Sequence, residues 1–383
     1  MSRLDELIRE LCPDGVVHLP LGKVCDVDKG VQFNKTDMQE TGSYPVINGG
    51  INPSGYIEQY NQAENTITIS QGGASAGYVN WLQVKFWAGA HCYVLKPKDC
   101  IENRYLYHFV KANERKLQEC QYGAGIPALG KATVIDLSIP VPPLPVQREI
   151  VRILDNFTEL TAELTAELTA RQKQYEYYRD YIMNEDGIPY VQLGTLCEIG
   201  DGLHGTPSYD ENGDYYFING NNLSGNKIVV DSKTKKVNES EYKKYRIAFS
   251  DTLFMSINGT IGNMALYNGE EIILGKSAAY FTIQSQKLNK HYLYYYLQTR
   301  FAHQYYDTHL TGSTIKNLGL KSLREFKIPL PPIHVQIEKA EMIRHFFELY
   351  SDVLFGLPAE IAARQKQYEY YRDKLLTFKP LAS

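Results

Sequence analysis

The sequence predicts an α+β protein: two mixed α/β domains, joined and separated by two long antiparallel helices forming a coiled coil, in a pseudo-two-fold arrangement with circular repeat order. Three observations carry that expectation. Residues 170–180 and 363–373 both read ARQKQYEYYRD, an eleven-residue repeat in an otherwise unbiased chain. Shorter landmarks recur in the same order in each half. Each half closes in a proline-rich exit followed by roughly 40 residues of helical pattern, more than a domain of ordinary size absorbs.

In chain order, residues 2–12 (SRLDELIRELC) place Leu4, Leu7, Ile8 and Leu11 at helical spacing and stop at Pro13-Asp14-Gly15. This gives an N-terminal helical segment over 1–18. The first domain, 19–145, opens on LGKVCDVDKG, which LGTLCEIGDG at 193–202 matches at the Leu, Gly, Cys, acid and final Gly positions. Asp14-Gly15 recurs as Asp186-Gly187, Ile47-Asn48-Gly49 as Ile218-Asn219-Gly220, Ser70-x-x-Gly73 as Ser256-x-x-Gly259, and Tyr105-x-Tyr107 as Tyr292-x-Tyr294. The spacing grows mainly between Gly220 and Ser256, around KTKKVNESEYKKYR at 233–246, a basic insertion belonging to the second domain (190–334) alone.

Alternating runs at 65–70, 92–95, 252–255 and 279–283 predict short strands between Gly and Asn turns, while 103–119 and 289–305 predict helices. The exits, IPVPPLPVQ at 139–147 and IPLPPIHVQ at 328–336, are stiff segments of the kind that precede a helix. The central helix falls within 146–184, with Ile150, Ile153, Leu154, Phe157, Leu160, Leu164 and Leu168 on one side. The distal helix falls within 335–383, with Ile337, Ile343, Phe346, Phe347, Leu354, Leu357 and Ile361. Apolar seams on both predict antiparallel packing. Gly356-Leu357-Pro358 predicts a kink or interruption in the distal helix. The circular order brings the two ends of the chain close together.

With 383 residues, 43% hydrophobic and 22% charged, the chain has a globular composition with room for more than one core. Charges in Met1-Ser-Arg-Leu-Asp-Glu stand where a signal peptide needs an apolar run, and no apolar stretch is long enough to span a membrane. A cytoplasmic location is therefore expected. Six cysteines form no CxxC pair and no even framework, so they read as reduced, mostly buried thiols rather than zinc ligands or disulfides. The net charge of −4 argues weakly against a nucleic-acid binder, although a whole-chain sum can hide a local basic face.

No catalytic signature is complete. GEEIILGKS at 269–277 has one residue too many between its glycines for a phosphate loop. A dinucleotide fingerprint, a GxSxG elbow, an HExxH, a nuclease-like acid cluster and an Asn-Pro-Pro-Tyr methyl-transfer motif are all missing from the sequence, and the nine histidines are scattered. The chain reads as non-catalytic, with no cofactor or metal of its own. What recurs instead is polar loops rich in amides, hydroxyls and glycine, side chains that read base edges while glycines admit close backbone approach to phosphates. Gly and Asn also simply make turns. Repetition in two unlike domains favours function, and the base-reading candidates are Asn48, Gln71, Ser75 and Tyr78 in the first domain and His204, Thr206, Asn219, Asn222, Asn258 and Lys316 in the second. Lysines of the 233–246 insertion suit phosphates. The duplicated helical segment shows one surface twice, and Arg171, Tyr175 and Tyr178 with Arg364, Tyr368 and Tyr371 are the candidate anchors for a partner bound twice.

Over its whole length this pattern resembles the specificity (S) subunits of Type I restriction-modification enzymes. The resemblance rests on the two domains opened by Leu-Gly strands and closed by Ile-Pro-x-Pro-Pro-x-x-x-Gln, and on the two helices ending in the Arg-Gln-x-x-Tyr-x-Tyr-Tyr-Arg segment. It extends to YPVINGG at 44–50, GLHGTP at 202–207 and Gly-Ser-Thr-x-x-x-Leu at 312–318. The resemblance implies a non-enzymatic DNA-recognition subunit whose two target-recognition domains each read half of a bipartite duplex site. It implies two methylase (M) subunits, binding S-adenosylmethionine themselves, docked on the conserved helices, and restriction (R) subunits joining through that complex. The acidic net charge then implies that partners supply much of the phosphate contact. The competing reading is the recognition half of a nuclease or methyltransferase with unseen chemistry of its own.

Overall fold

The computed structural model describes residues 2–123, 125–184 and 187–381, without the side chains of 349–355. Asp186 and the Leu354 side chain, both used above, lie outside that description. The chain divides into two units, one built from 1–166 and 358–383, the other from 167–357. The first unit therefore draws on both ends of the chain, which is the circular order read from the repeats.

Within the first unit a four-stranded antiparallel sheet runs in the order Cys25–Lys29, Cys92–Pro97, Thr66–Ser70, Val79–Leu82. The second unit has Cys197–Asp201, Ala278–Ile283, Thr252–Ser256, Met264–Leu266 in the same order. Alongside lies a mixed three-stranded sheet: Tyr44–Ile47 between Tyr56–Ile57 and a parallel Trp87–Ala88 in one unit. In the other, Tyr215–Ile218 lies between Lys236–Val237 and a parallel Ile272–Leu274. Strand entry and exit also pair, Val17–Pro20 with Ser138–Val141 and Tyr190–Gln192 with Lys327–Pro329. The basic insertion supplies the strand Lys236–Val237 and the helix Glu239–Tyr245, capped by Asn238.

The helix expected over 103–119 is broken into Asn103–Ala112 and Glu114–Glu119, and that over 289–305 into Lys290–Tyr296 and Arg300–His309. Each leading helix packs a buried tyrosine, Tyr105 or Tyr292, whose hydroxyl donates to the carbonyl of the exit proline, Pro140 (3.1 Å) or Pro329 (3.0 Å). The glutamine that ends each exit motif is fully buried. Gln147 donates to the carbonyls of Cys100 (3.0 Å) and Pro142 (2.7 Å) and accepts from Glu102 N–H (2.7 Å). Gln336 does the same with Lys287, Pro331 and Asn289. A buried amide costs little when every valence is met, and these two clamp the start of each long helix to its own domain.

The long helices are Leu144–Met183 and Ile333–Leu375. The second is one continuous helix with Pro358 inside it, so of the kink or interruption expected at 356–358 the interruption does not occur. Proline removes one hydrogen bond and costs about 3 kcal/mol, which helix on both sides can carry. In the first unit Val146, Ile150 and Leu154 share a core with Tyr368 and Leu376, and Phe157 stacks on Tyr371 at 5.4 Å. In the second, Tyr175 meets Phe347, Tyr178 meets Phe346, and Lys339 Nζ donates to the Ile182 carbonyl. The partners' numbers fall as the helix advances, so the pair is antiparallel there. Val16 forms a parallel bridge with Pro380 in the first unit, which joins the two ends.

Cys12, Cys25, Cys92 and Cys197 are buried free thiols, and burial pushes the last three up to about 12. Cys100 and Cys120 are exposed. Among the described residues no helix is long and apolar enough to cross a membrane.

Candidate nucleic-acid interface

In each unit the polar loops gather at one edge of the sheets. Asn48 follows the strand Tyr44–Ile47, and its side-chain oxygen accepts from the His91 N–H at 3.3 Å. The His91 carbonyl accepts from Gln71 N–H (2.9 Å), which begins the 71–78 hairpin loop. A Cβ at Gly89 would collide with Asn48 Oδ1, so glycine is required where the asparagine closes this turn. The second unit repeats the device. Asn219 follows Tyr215–Ile218, its Oδ1 accepts from Ser277 Oγ (2.9 Å), and Gly275 leaves room for it. The Ser277 carbonyl accepts from Ile257 N–H (2.9 Å), ahead of Asn258.

The structure thus brings Asn48 and Gln71 together through His91, and Asn219 and Asn258 together through Ser277. His91 and Ser277 were missed in the sequence because they differ in type and share only their place after the glycine. His204 lies close by: the Leu203 N–H donates to the Leu274 carbonyl (2.7 Å), and His204 Nε2 is 2.8 Å from Asp201 Oδ2. Exposed Thr206 follows in the same loop. Asn258 and Asn317 form an isolated antiparallel bridge, which sets Lys316 beside that turn.

Other candidates carry structure. Asn222 is 8% exposed and its amide is spent inside the domain: Oδ1 accepts from Asn219 N–H, while Nδ2 donates to the Val229 carbonyl and Thr234 Oγ1. It has no edge to offer a base. Tyr78 is half-buried, with Lys111 Nζ 4.5 Å from its ring centre and its hydroxyl pKa raised by burial. Gln71 Oε1 is buried without a partner, and Ser75 is half-buried with its carbonyl accepting from Tyr78 N–H. In the basic insertion, Lys235, Lys236, Lys244 and Arg246 lie over the rings of Tyr209, Tyr216, Tyr245 and Tyr242, and Lys243 pairs with Glu239.

On the duplicated helical segment the tyrosine stripe turns inward. Tyr368 is buried with its hydroxyl 3.2 Å from His108 Nδ1, and Tyr175 is half-buried against Phe347. Their rings are covered by the chain itself, because the i, i+3, i+7 spacing that makes an apolar stripe is what helix-on-domain packing consumes. Tyr178 and Tyr371 sit at its margin, each against a phenylalanine of the opposite helix. Arg171 and Arg364 make matching intrahelical contacts, to Glu167 and Gln174 and to Glu360 and Gln367. The outward-facing pair is Tyr177 and Tyr370, 65% and 62% exposed, at the same position of each repeat.

The family model described as "Type I restriction modification DNA specificity domain" matches this chain twice, at 13–171 and 185–363. A putative type I restriction enzyme specificity subunit from Haemophilus influenzae is 31% identical, with 94% of each chain covered. The EcoR124I/EcoR124II specificity subunit from Escherichia coli is 29% identical over 99% of this chain and 97% of that one. Among solved structures, the S subunit of a Type I restriction-modification system from M. genitalium superposes with a TM-score of 0.57 at 19% identity, covering 94% of this chain and 96% of that one. A second chain, from a structural study of assembly and conformational transition in a type I R-M system, gives 0.56 at 17%, covering 96% and 98%. Those two likenesses concern the fold. With two matched domains, the repeated plan in each unit and the paired long helices, the chain belongs to the Type I restriction-modification DNA specificity family.

Proposed function

We propose that this chain is the sequence-specificity subunit of a Type I restriction-modification complex, contributing recognition and no catalysis. Each domain (19–145 and 190–334) reads one half of a bipartite duplex target. The long helices (146–184 and 335–383) dock two M subunits, and R subunits join through that assembly, in the cytoplasm where DNA and partners are. The observation that supports this reading is the contrast inside the repeat: frames with the same strand order and the same exit motif hold loops whose polar side chains differ. Matched frames suit a shared partner, and unlike loops suit unlike half-sites.

Within that reading, His204, Thr206, Asn258 and Lys316 are the base- or phosphate-facing groups of the second domain, and Asn48, Gln71 and Ser75 flank the equivalent edge of the first. Arg171, Tyr178, Arg364 and Tyr371, joined by Tyr177 and Tyr370, form the repeated docking surface. Methylome sequencing of cells with and without the gene tests the proposal. A methylated bipartite motif that disappears with the gene is the expected result, and an unchanged methylome overturns it. Methyl transfer or DNA cutting by the purified chain alone, supplied with DNA and labelled S-adenosylmethionine, would favour the enzymatic alternative.

A further inference from the structure

Each base-facing loop is braced by a second loop that has its own shared pattern. Residues 123–130 read GAGIPALG and 312–319 read GSTIKNLG, so both follow Gly-x-x-Ile-x-x-Leu-Gly. In the first unit Tyr122 and Ala128 exchange backbone hydrogen bonds at 2.9 Å, Leu129 is fully buried, and Gly73 N–H donates to the Pro127 carbonyl. In the second, Thr311 pairs with Asn317, Leu318 is fully buried, and Gly259 N–H donates to the Lys316 carbonyl. Gly123 and Gly312 have φ of +102° and +86°, and a Cβ at either would strike the carbonyl of the isoleucine three residues on. Both are tight tongues, fastened at the root by a leucine and along one side by the neighbouring hairpin loop.

At the tip of each tongue stands an isoleucine in the open: Ile126 is 77% exposed and Ile315 64%. One exposed aliphatic side chain needs no explanation. The same residue, exposed at the same position of a matching loop in two domains whose polar loops differ, does. A contact shared by two domains cannot be to a base peculiar to one half-site, so it is to something every duplex offers. The tongue's bond to the hairpin loop sets its tip beside the polar candidates, and Lys316 next to Ile315 suits a phosphate. Proteins that bind the minor groove frequently insert an apolar side chain, isoleucine among them, between base steps and partly unstack them.

Resting on the DNA-recognition reading above, we infer that Ile126 and Ile315 are a pair of sequence-independent apolar wedges, each inserted at a base step of its half-site. The test uses the full chain purified with its M subunits and a duplex carrying the motif found by methylome mapping, with 2-aminopurine at each half-site position in turn. Wild-type complex should raise the fluorescence at one step in each half. Ile126→Ala should abolish the signal in one half only and Ile315→Ala in the other. Each should weaken binding about 10-fold, the scale of one lost apolar contact, with the methylated motif and the melting temperature unchanged, and Ile→Leu should restore the signal. The wedge is overturned if wild-type complex methylates its motif with no fluorescence response, if either alanine variant changes the base selected, or if it sheds an M subunit while the response persists. Absence of any motif-specific methylation by the wild type would instead overturn the underlying DNA-recognition reading.

Discussion

His108 Nε2 lies 2.8 Å from the Asp155 carboxylate, and its other ring nitrogen lies 3.2 Å from the Tyr368 hydroxyl. One buried imidazole thereby ties the domain helix Asn103–Ala112 to both long helices of its unit. Arg104 Nε bonds the same Asp155 oxygen at 2.8 Å. The carboxylate needs a donor, so a neutral ring gives its Nε2–H to Asp155 and accepts from Tyr368. In the second unit the matching positions are Tyr295, Arg344 and Tyr175, which place no imidazole there.

Burial lowers the His108 pKa from 6.5, and Arg104 and Arg372 act in the same direction against the pull of Asp155. The unfolded chain therefore takes up a proton that the folded ring refuses. Stability is full above about pH 6.5 and falls as pH drops below it. Burial alone would raise Asp155, but His108 and Arg104 together hold it below 3.8, so its contribution is lost only in stronger acid. His108→Gln should flatten the decline in melting temperature between pH 7 and pH 5. Asp155→Asn at pH 7.5 should cost about 2 kcal/mol by leaving Arg104 without its carboxylate, and a neutral result in urea titration would dismiss this network as a tie.

The exit glutamines give a sharper stability test. Gln336→Glu keeps the shape but turns two donors into an anion facing the carbonyls of Lys287 and Pro331, both 2.7 Å away. It should cost at least as much as Gln336→Ala, about 3 kcal/mol and roughly 10 °C in Tm, and Gln147→Glu should match it. If the glutamate were tolerated, the carbonyl contacts would not be what fixes the helix start.

Base readout separates the asparagines. Asn258→Ala should relax one position of the second half-site by about 1 to 3 kcal/mol while leaving the melting temperature alone. Asn222→Ala should do the reverse, since its amide holds Val229 and Thr234. Selection of half-sites from a random duplex pool, run beside calorimetry on each variant, reads both quantities.

That contrast marks how far the sequence could be read. Repeats, exits and helix seams were legible because each states a periodicity or a spacing, and Gln147 and Gln336 stood out as the last letters of a shared motif. What a side chain does inside its loop was not. Asn219 and Asn222 look alike on paper, yet one faces Ser277 at the edge and the other is sealed beneath it. The tyrosine stripe misled in a related way: Tyr175 and Tyr368 have the spacing of an apolar face, which predicts burial against their own domains rather than docking. The pattern of Gly123 to Gly130 went unseen because Ala124, Gly125, Pro127 and Ala128 stand where the second domain has Ser313, Thr314, Lys316 and Asn317, leaving only four shared letters of eight.

Partner stoichiometry can be probed through the outward pair. Tyr177→Ala with Arg171→Ala should remove one M subunit and leave one bound, and the same changes at Tyr370 and Arg364 should remove the other. Tyr177 and Tyr370 are exposed and Arg171 and Arg364 are half-buried, none of them in a core, so the chain should fold normally. Light scattering of the purified complexes counts the subunits, and loss of both or neither would speak against two equivalent sites.

The final prediction concerns Thr161-Ala-Glu-Leu164 and the identical tetrad 165–168 that follows it. They lie mid-way along Leu144–Met183, which remains one helix through 166/167, where the chain passes from one unit to the other. Leu160, Leu164 and Leu168 are all half-buried, and Thr161 and Thr165 each donate to the carbonyl four residues back. Removing one tetrad shortens the helix by about 6 Å and turns it by about 40°, close to a whole turn, so the leucine seam keeps its register. With DNA rising roughly 3.4 Å per base pair, the half-sites read should stay the same and the unread spacer between them should shrink by one or two base pairs. Methylome mapping of the deletion measures this directly. An active deletion mutant with the original spacer would show that this helix does not set the distance, and a deletion mutant that fails to fold would show the tetrads to be an ordinary seam whose register the helix pair cannot lose.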